Sequence, residues 1–319
     1  MSIYLLSLLK HSRKEILGGW PHLVVQHTTP TITPTITDQK SPPLFLFIHG
    51  LGAQVDQFSE QFAHLQHHAH ILALDALGHG GSGDSRNYAD YTADALVDRW
   101  ILLVSRHADP RVPWIVCGHS YGSILALRLC KALVASPNLP SPSGLILLAP
   151  PASDTTGSKG GGKKGSKWLL SLPDPCLEVL RWMDRWGGLE SHSVRRLLGP
   201  GASVPLKTRQ LGWNKASRTR TLKRIVAGMP PWEAEEVSLG KGQEGRGKQG
   251  QEIPILILAG AEDKVTPPWM AHVMAKSLKD QDYGPVIGPI EMPGSGHQVM
   301  LESPTEVNLA IDSFIKQYV

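Results

Sequence analysis

The residues of this chain best suited to bond-making chemistry are Ser120, Asp263 and His297. Ser120 stands in Gly118-His119-Ser120-Tyr121-Gly122, a G-x-S-x-G run. A serine hydroxyl is a poor nucleophile at neutral pH and needs a base beside it. His297, at the end of the glycine-rich loop Met292–His297, supplies an imidazole that could take the hydroxyl proton and later return it to a leaving group. Asp263, in Ala261–Pro267, supplies a carboxylate that could fix the imidazole tautomer and stabilise the imidazolium. Glu262 beside it is the competing choice, with Asp263 then reduced to capping a following helix.

Each of these residues needs an element to hold it. Trp114–Cys117 is apolar and reads as a buried strand, and Ser123–Cys130 reads as a helix. A serine at a tight strand-to-helix turn has a strained backbone, and Gly118 and Gly122 leave room for the close approach of strand and helix. The Tyr121 amide then sits at a helix N-terminus and points at developing negative charge. Upstream, the apolar run Leu44–Ile48 enters His49-Gly50-Leu51-Gly52, which brings the Leu51 amide forward as the second oxyanion donor. Downstream, Ile255–Gly260 is a strand that ends just before Asp263. His49 and His79 are expected to brace loops. The His119 side chain is expected to face away from the nucleophile.

The order Ser, Asp, His, and these contexts, resemble the α/β-hydrolase superfamily over residues 41–151 and 252–319. Leu72–Ser82 is similar to the family's strand-four turn, and His297–Pro304 to its histidine loop and last helix. The resemblance implies an eight-stranded, mostly parallel sheet flanked by helices, with a lid inserted after strand six. Residues 1–151 and 252–319 would then form the core, and residues 152–251 the lid. It also implies a serine hydrolase that cleaves a carboxylic ester through an acyl-enzyme, with no cofactor. The alternatives are an acyltransferase, thioesterase or lactonase of the same fold, or a non-catalytic binding protein that kept it. Branches with an Asp nucleophile are excluded by Ser120. The H-x-x-x-x-D pattern linked to acyl transfer is not met, because Glu302 stands at that place.

Other patterns are weaker. His64 and His68 have the i, i+4 spacing that can bind zinc from one helix face, but no Cys ligand lies near them in sequence, and no metal is expected. Gly78, Gly80 and Gly83 spell G-x-G-x-x-G after a strand, yet no clear helix follows. The chain has 319 residues and is 41% hydrophobic, enough for one large α/β domain with a lid. Three cysteines and no N-glycosylation acceptor favour an intracellular, cytoplasmic protein. The apolar stretch Met1–Leu9 is short for a membrane span, and its positive charges follow it.

Residues 152–250 differ from the rest. They hold 18 Lys/Arg and 9 Asp/Glu, a net charge of +9 against +4 for the whole chain. Five of the nine tryptophans are there: Trp168, Trp182, Trp186, Trp213 and Trp232. Val179, Trp182, Met183 and Trp186 share one helix face, as do Leu222, Ile225, Val226 and Met229. Gly/Lys-rich runs at 157–167 and 240–250 bracket these helices, and a Thr/Pro-rich connection occupies 28–37. Either the apolar faces pack over the site while the cations are solvated, or the segment meets an anionic membrane surface. The expected partner is a small-molecule acyl substrate, without nucleic acid.

Overall fold

The computed structural model describes residues 12–28, 41–107, 109, 111–152, 172–229, 252–281 and 284–319. The expectations for the N-terminal apolar segment, the Thr/Pro stretch beyond Thr28, both Gly/Lys-rich runs, Trp168 and Trp232 lie outside the described residues.

Five short apolar runs become the buried strands of one sheet: β3 (Leu44–Ile48), β4 (His70–Leu74), β5 (Trp114–His119), β6 (Gly144–Leu148) and β7 (Ile255–Gly260). β8 (Val286–Met292) adds one edge, and the hairpin β1 (Ser12–Leu17) and β2 (Trp20–His27) the other. The eight strands run in the order β1-β2-β4-β3-β5-β6-β7-β8. All neighbours from β4 to β8 are parallel; the β1–β2 and β2–β4 pairs are antiparallel.

Near-continuous apolar strands are what a parallel sheet covered on both faces requires. Successive side chains alternate between two cores. Leu46, Ile48, Val116, Leu147 and Ile257 join Trp100 of α2 (Ala93–His107), Leu127 of α3 (Tyr121–Ala135) and Met274 of α8 (Pro268–Asp280). Phe45, Phe47, Cys117, Leu148 and Leu258 join Phe62 of α1 (Ser59–Leu65), Val299 of α9 (Val299–Glu302) and Ile311 of α10 (Pro304–Tyr318). The G-x-S-x-G run, the Leu51 loop and the Asp263 loop all follow the C-terminal ends of the parallel strands β5, β3 and β7. Ligands gather at such an edge in open α/β sheets.

Between β6 and β7 the chain forms α4 (Asp174–Trp186), α5 (His192–Leu197), α6 (Val204–Ala216) and α7 (Thr219–Gly228). The two apolar faces expected here have different fates. On α7, Ile225 is buried in the core and Met229 packs against it. On α4 no residue is buried, and Val179, Trp182, Met183 and Trp186 are exposed, Trp186 to 70%. The expectation that the cations are solvated is corrected for two of them. Lys223 donates to Leu172 O at 2.9 Å and to Asp174 at 3.0 Å. Arg224 donates to Ser85 O and lies over the Tyr88 and Tyr91 rings at 5.6 and 5.7 Å. Their long side chains reach local carbonyls and, for Lys223, a carboxylate. No helix among the described residues is long and apolar enough to cross a membrane.

Candidate active site

Ser120 sits between β5 and α3 with φ 53 and ψ −123, a left-handed conformation that non-glycine residues avoid. Such a residue costs on the order of 1–3 kcal/mol and persists only where its surroundings over-determine it. Here the Ser120 amide donates to Leu148 O at 2.9 Å, the Ser123 amide to Ser120 O at 2.9 Å, and the Ser123 hydroxyl to Gly118 O at 2.9 Å. The flanking glycines answer to close backbone approach. A Cβ on Gly118 would lie 2.4 Å from Gly122 O, and one on Gly122 would lie 2.3 Å from Ile48 O. Among the described residues the Ser120 hydroxyl has no hydrogen-bond partner, so it is free to meet a ligand or a base.

The Asp263 carboxylate is buried, and its two oxygens have different partners. Oδ1 accepts from the amides of Val265 at 2.7 Å and Thr266 at 3.0 Å. Oδ2 lies 2.8 Å from His297 Nδ1 and accepts from the Thr266 hydroxyl at 2.8 Å. That hydroxyl is also within 3.0 Å of Ala149 O and 3.1 Å of His297 Nδ1. Burial works to raise the Asp263 pKa, but the hydrogen bonds from His297 and Thr266 and the His297 charge outweigh it. The carboxyl is held below its ordinary value. Glu262, the competing choice, is exposed and is not hydrogen-bonded to His297. Asp263 also braces its own turn through those two amides, while the following helix starts after Pro267 with no side-chain cap.

His297 is tied to His119, the neighbour of Ser120. Its carbonyl lies 2.8 Å from His119 Nε2, and the two rings are 4.7 Å apart. The His119 side chain reaches the His297 loop and the Gln57 side-chain amide, which lies 2.9 Å from its Nδ1. Burial first, and the His297 charge second, push the His119 pKa down to about 3. This neutral imidazole is an accessory to the loop, not a base.

Among the described residues, the amides of the two oxyanion candidates have no partner. Tyr121 occupies the first position of α3, whose amide has no intrahelical partner. In the Leu51 loop the Gly50 amide donates to Gln57 Oε1 at 3.3 Å and the Gly52 amide to His79 Nε2 at 3.0 Å. The Leu51 amide between them has no partner among the described residues. A Cβ on Gly50 would lie 3.2 Å from Ser120 Cβ, so this loop runs directly past Ser120. His49 and His79 are loop braces, as expected. The Ala76 amide donates to His49 Nε2 at 2.9 Å, and burial pushes the His49 and His79 pKa values down to about 3 and about 4.

Residues 45–310 match the model of the alpha/beta hydrolase family. The chain belongs to that family. It is 28% identical over 311 residues to Abhydrolase domain-containing protein C57A10.08c of Schizosaccharomyces pombe (strain 972 / ATCC 24843), covering 92% of this chain and 76% of that protein. Its fold is shared by a thermophilic esterase from Thermogutta terrifontis, at TM-score 0.68 and 15% identity over 96% of this chain and 98% of that one. An esterase from Exiguobacterium antarcticum gives TM-score 0.68 and 15% identity over 95% and 99% of the two chains. A structure of novel epoxide hydrolases from metagenomes of hot environments gives TM-score 0.64 and 19% identity over 95% and 98%.

This family member surrounds the candidate residues with polar groups that the sequence did not single out. The Gln57 side-chain amide lies 2.9 Å from His119 Nδ1 and donates to Gln298 Oε1 at 2.6 Å. Gln298 in turn donates to Gln210 Oε1 on α6 at 3.1 Å. One buried chain of amides thus links the Leu51 loop, the support of the nucleophile, the histidine loop and the helices between β6 and β7. Glu302 accepts from the amides of Gly199 at 2.6 Å, Gly296 at 3.0 Å and Gln298 at 3.2 Å. Asp75 accepts from the Val55 and Gly81 amides at 2.7 and 2.8 Å, and burial pushes its pKa up to about 6. Glutamines carry no local signal for such roles. For Glu302, its place five residues after His297 was the available hint.

Proposed function

We propose that the protein is a serine hydrolase of carboxylic esters, with Ser120 as nucleophile, His297 as general base and acid, and Asp263 as the carboxylate that orients His297. The observation that carries this reading is the buried Asp263–His297 pair, 2.8 Å apart, fastened to His119 next to a serine held at φ 53. His297 Nε2 takes the Ser120 proton as Oγ attacks the ester carbonyl. The oxyanion forms between the amides of Leu51 and Tyr121. His297 then protonates the departing alcohol, leaving an acyl-Ser120. Water, deprotonated by His297, attacks the acyl carbonyl and releases the acid and the free serine. Glu302 supports hydrolysis over the H-x-x-x-x-D type of acyl transfer: its oxygens are occupied by three amides of the loops around His297.

The substrate reading is an apolar or lipid-like acyl group, with residues 152–251 acting as a lid over the core formed by 1–151 and 252–319. The exposed face of α4, with Trp182 and Trp186 rings 4.2 Å apart, supports contact with an anionic lipid surface, since the chain between β6 and β7 carries the positive charge.

The test is covalent labelling by a fluorophosphonate followed by a panel of acyl esters of graded chain length. Wild-type protein should label at Ser120 and turn over esters. Ser120→Ala should lose labelling and on the order of 10⁴–10⁶ in kcat while melting as the wild type does. Equal labelling of the variant overturns the assignment.

A further inference from the structure

His64, His68 and Asp312 meet on the surface where α1 packs against α10, and the site proposed above uses none of them. His64 Nε2 lies 2.9 Å from both carboxylate oxygens of Asp312. His68 Nε2 lies 4.0 Å from Asp312 Oδ1. One ligating atom from each of the three residues falls within 4.8 Å of the others. The sequence offered two imidazoles at i, i+4. The fold adds a carboxylate from a position 248 residues after His64.

The backbone explains why the three converge. After α1 the chain makes one tightening turn, in which the amides of His68 and Ala69 both donate to Leu65 O at 3.0 and 2.9 Å. That turn carries His68 round to the side of His64, with the two rings 5.2 Å apart. Phe62 and Leu65 on one side and Ile311 and Phe314 on the other are buried in one core, and Gln61 donates to Asn308 Oδ1 at 3.2 Å. The two backbones are therefore held in place by packing that does not depend on the three polar groups. The cluster itself stays accessible: side-chain exposure is 31% for His64, 48% for His68 and 41% for Asp312.

We propose that His64, His68 and Asp312 bind one divalent transition-metal ion, with zinc as the ion they fit, and that the ion cross-links α1 to α10. Two imidazoles and one carboxylate are a nitrogen-rich set. It suits zinc or its first-row neighbours, whereas calcium and magnesium ask for six or more oxygens or for retained waters. Bond lengths near 2.0–2.1 Å in a tetrahedron put ligand atoms roughly 3.3 Å apart. The contacts at 2.9 and 4.0 Å straddle that spacing, so movements of side chains alone complete the site. Water occupies the fourth position. On binding, His64 Nε2 turns its lone pair from Asp312 to the ion. The consequence is mechanical. α10 follows the His297 loop and α1 follows the turn that holds Gln57, so the ion ties together two segments that flank the site.

The experiment uses untagged full-length protein stripped with a chelator and then dialysed. Calorimetric titration with zinc chloride should give one ion per chain. Saturating zinc should raise the melting temperature by several degrees, as expected for a ligand bound by the folded state only. Copper(II) bound in place of zinc should show electron-paramagnetic-resonance splitting from two nitrogens. His68→Ala removes an exposed ring and should leave the metal-free melting temperature unchanged while weakening zinc binding at least tenfold; Asp312→Asn should do the same to binding. The proposal is overturned if no zinc binds at about 100 µM, or if both variants bind it as the wild type does, which would assign the ion to other histidines.

Discussion

Asp263→Asn is the most demanding test of the proposed mechanism, because the structure dictates which way the new amide points. Oδ1 of Asp263 accepts two backbone amides, from Val265 at 2.7 Å and Thr266 at 3.0 Å. An asparagine must keep its oxygen there, since turning its NH₂ toward two N–H donors would leave three buried donors without acceptors. The NH₂ group therefore faces His297 Nδ1, where Oδ2 stood at 2.8 Å. A donor at that place demands an acceptor, so Nδ1 loses its proton and Nε2 carries it. Nε2 can then no longer accept the Ser120 proton. The expected loss is about 10⁴ in kcat, equivalent to about 5 kcal/mol of transition-state stabilisation, with KM nearly unchanged because the carboxylate does not touch substrate. The assay is steady-state hydrolysis of a short soluble ester, with thermal melting to establish that the variant folds. Glu262→Gln, at an exposed position, should stay within about twofold of the wild type. A loss below tenfold for Asp263→Asn, or a larger loss for Glu262→Gln, refutes the reasoning.

Stability should fall with acid. His49, His79 and His119 are buried neutral, with pKa values pushed down by desolvation to about 3, about 4 and about 3. The unfolded chain takes up protons at these residues below about pH 6.5, which the folded chain refuses, so stability rises with pH between about 4 and 6.5. The three together set an upper limit of about 4 kcal/mol per pH unit. Asp75, raised to about 6, opposes this by roughly 1 kcal/mol per unit over pH 4–6. Urea midpoints at fixed ionic strength should drop from pH 7 to pH 5; a flat profile would contradict the buried-neutral assignment. If α4 meets lipid, Trp182→Ser with Trp186→Ser should reduce cosedimentation with anionic vesicles at low salt and leave turnover of a soluble ester unaltered. Indifference of vesicle binding to that pair removes α4 as the contact. Gln57→Ala should lower kcat at least tenfold, with its KM nearly constant, if the amide chain positions His119 and the Leu51 loop. An unchanged kcat would reduce the network to scaffolding.

What the sequence determined by itself were the features governed by neighbours in the chain. Leu44–Ile48, Trp114–Cys117 and Ile255–Gly260 are strands because short apolar runs with β-branched residues have little other use in a covered sheet. Ser120 is strained because Gly118 and Gly122 leave room for strand and helix to close on it. The choice between Asp263 and Glu262 needed the tertiary structure, because adjacent residues in a turn point in different directions and only the fold says which direction holds His297. The same is true of Gln57, Gln210 and Gln298, whose amides gain a role only from what surrounds them. The faces of α4 and α7 look alike in sequence, yet Ile225 is buried and Trp186 is exposed, since burial depends on a partner surface and not on the pattern. Asp312 makes the point over the longest span. Nothing in the sequence pairs His64 with Asp312, and only the packing of α1 on α10 brings the two to 2.9 Å.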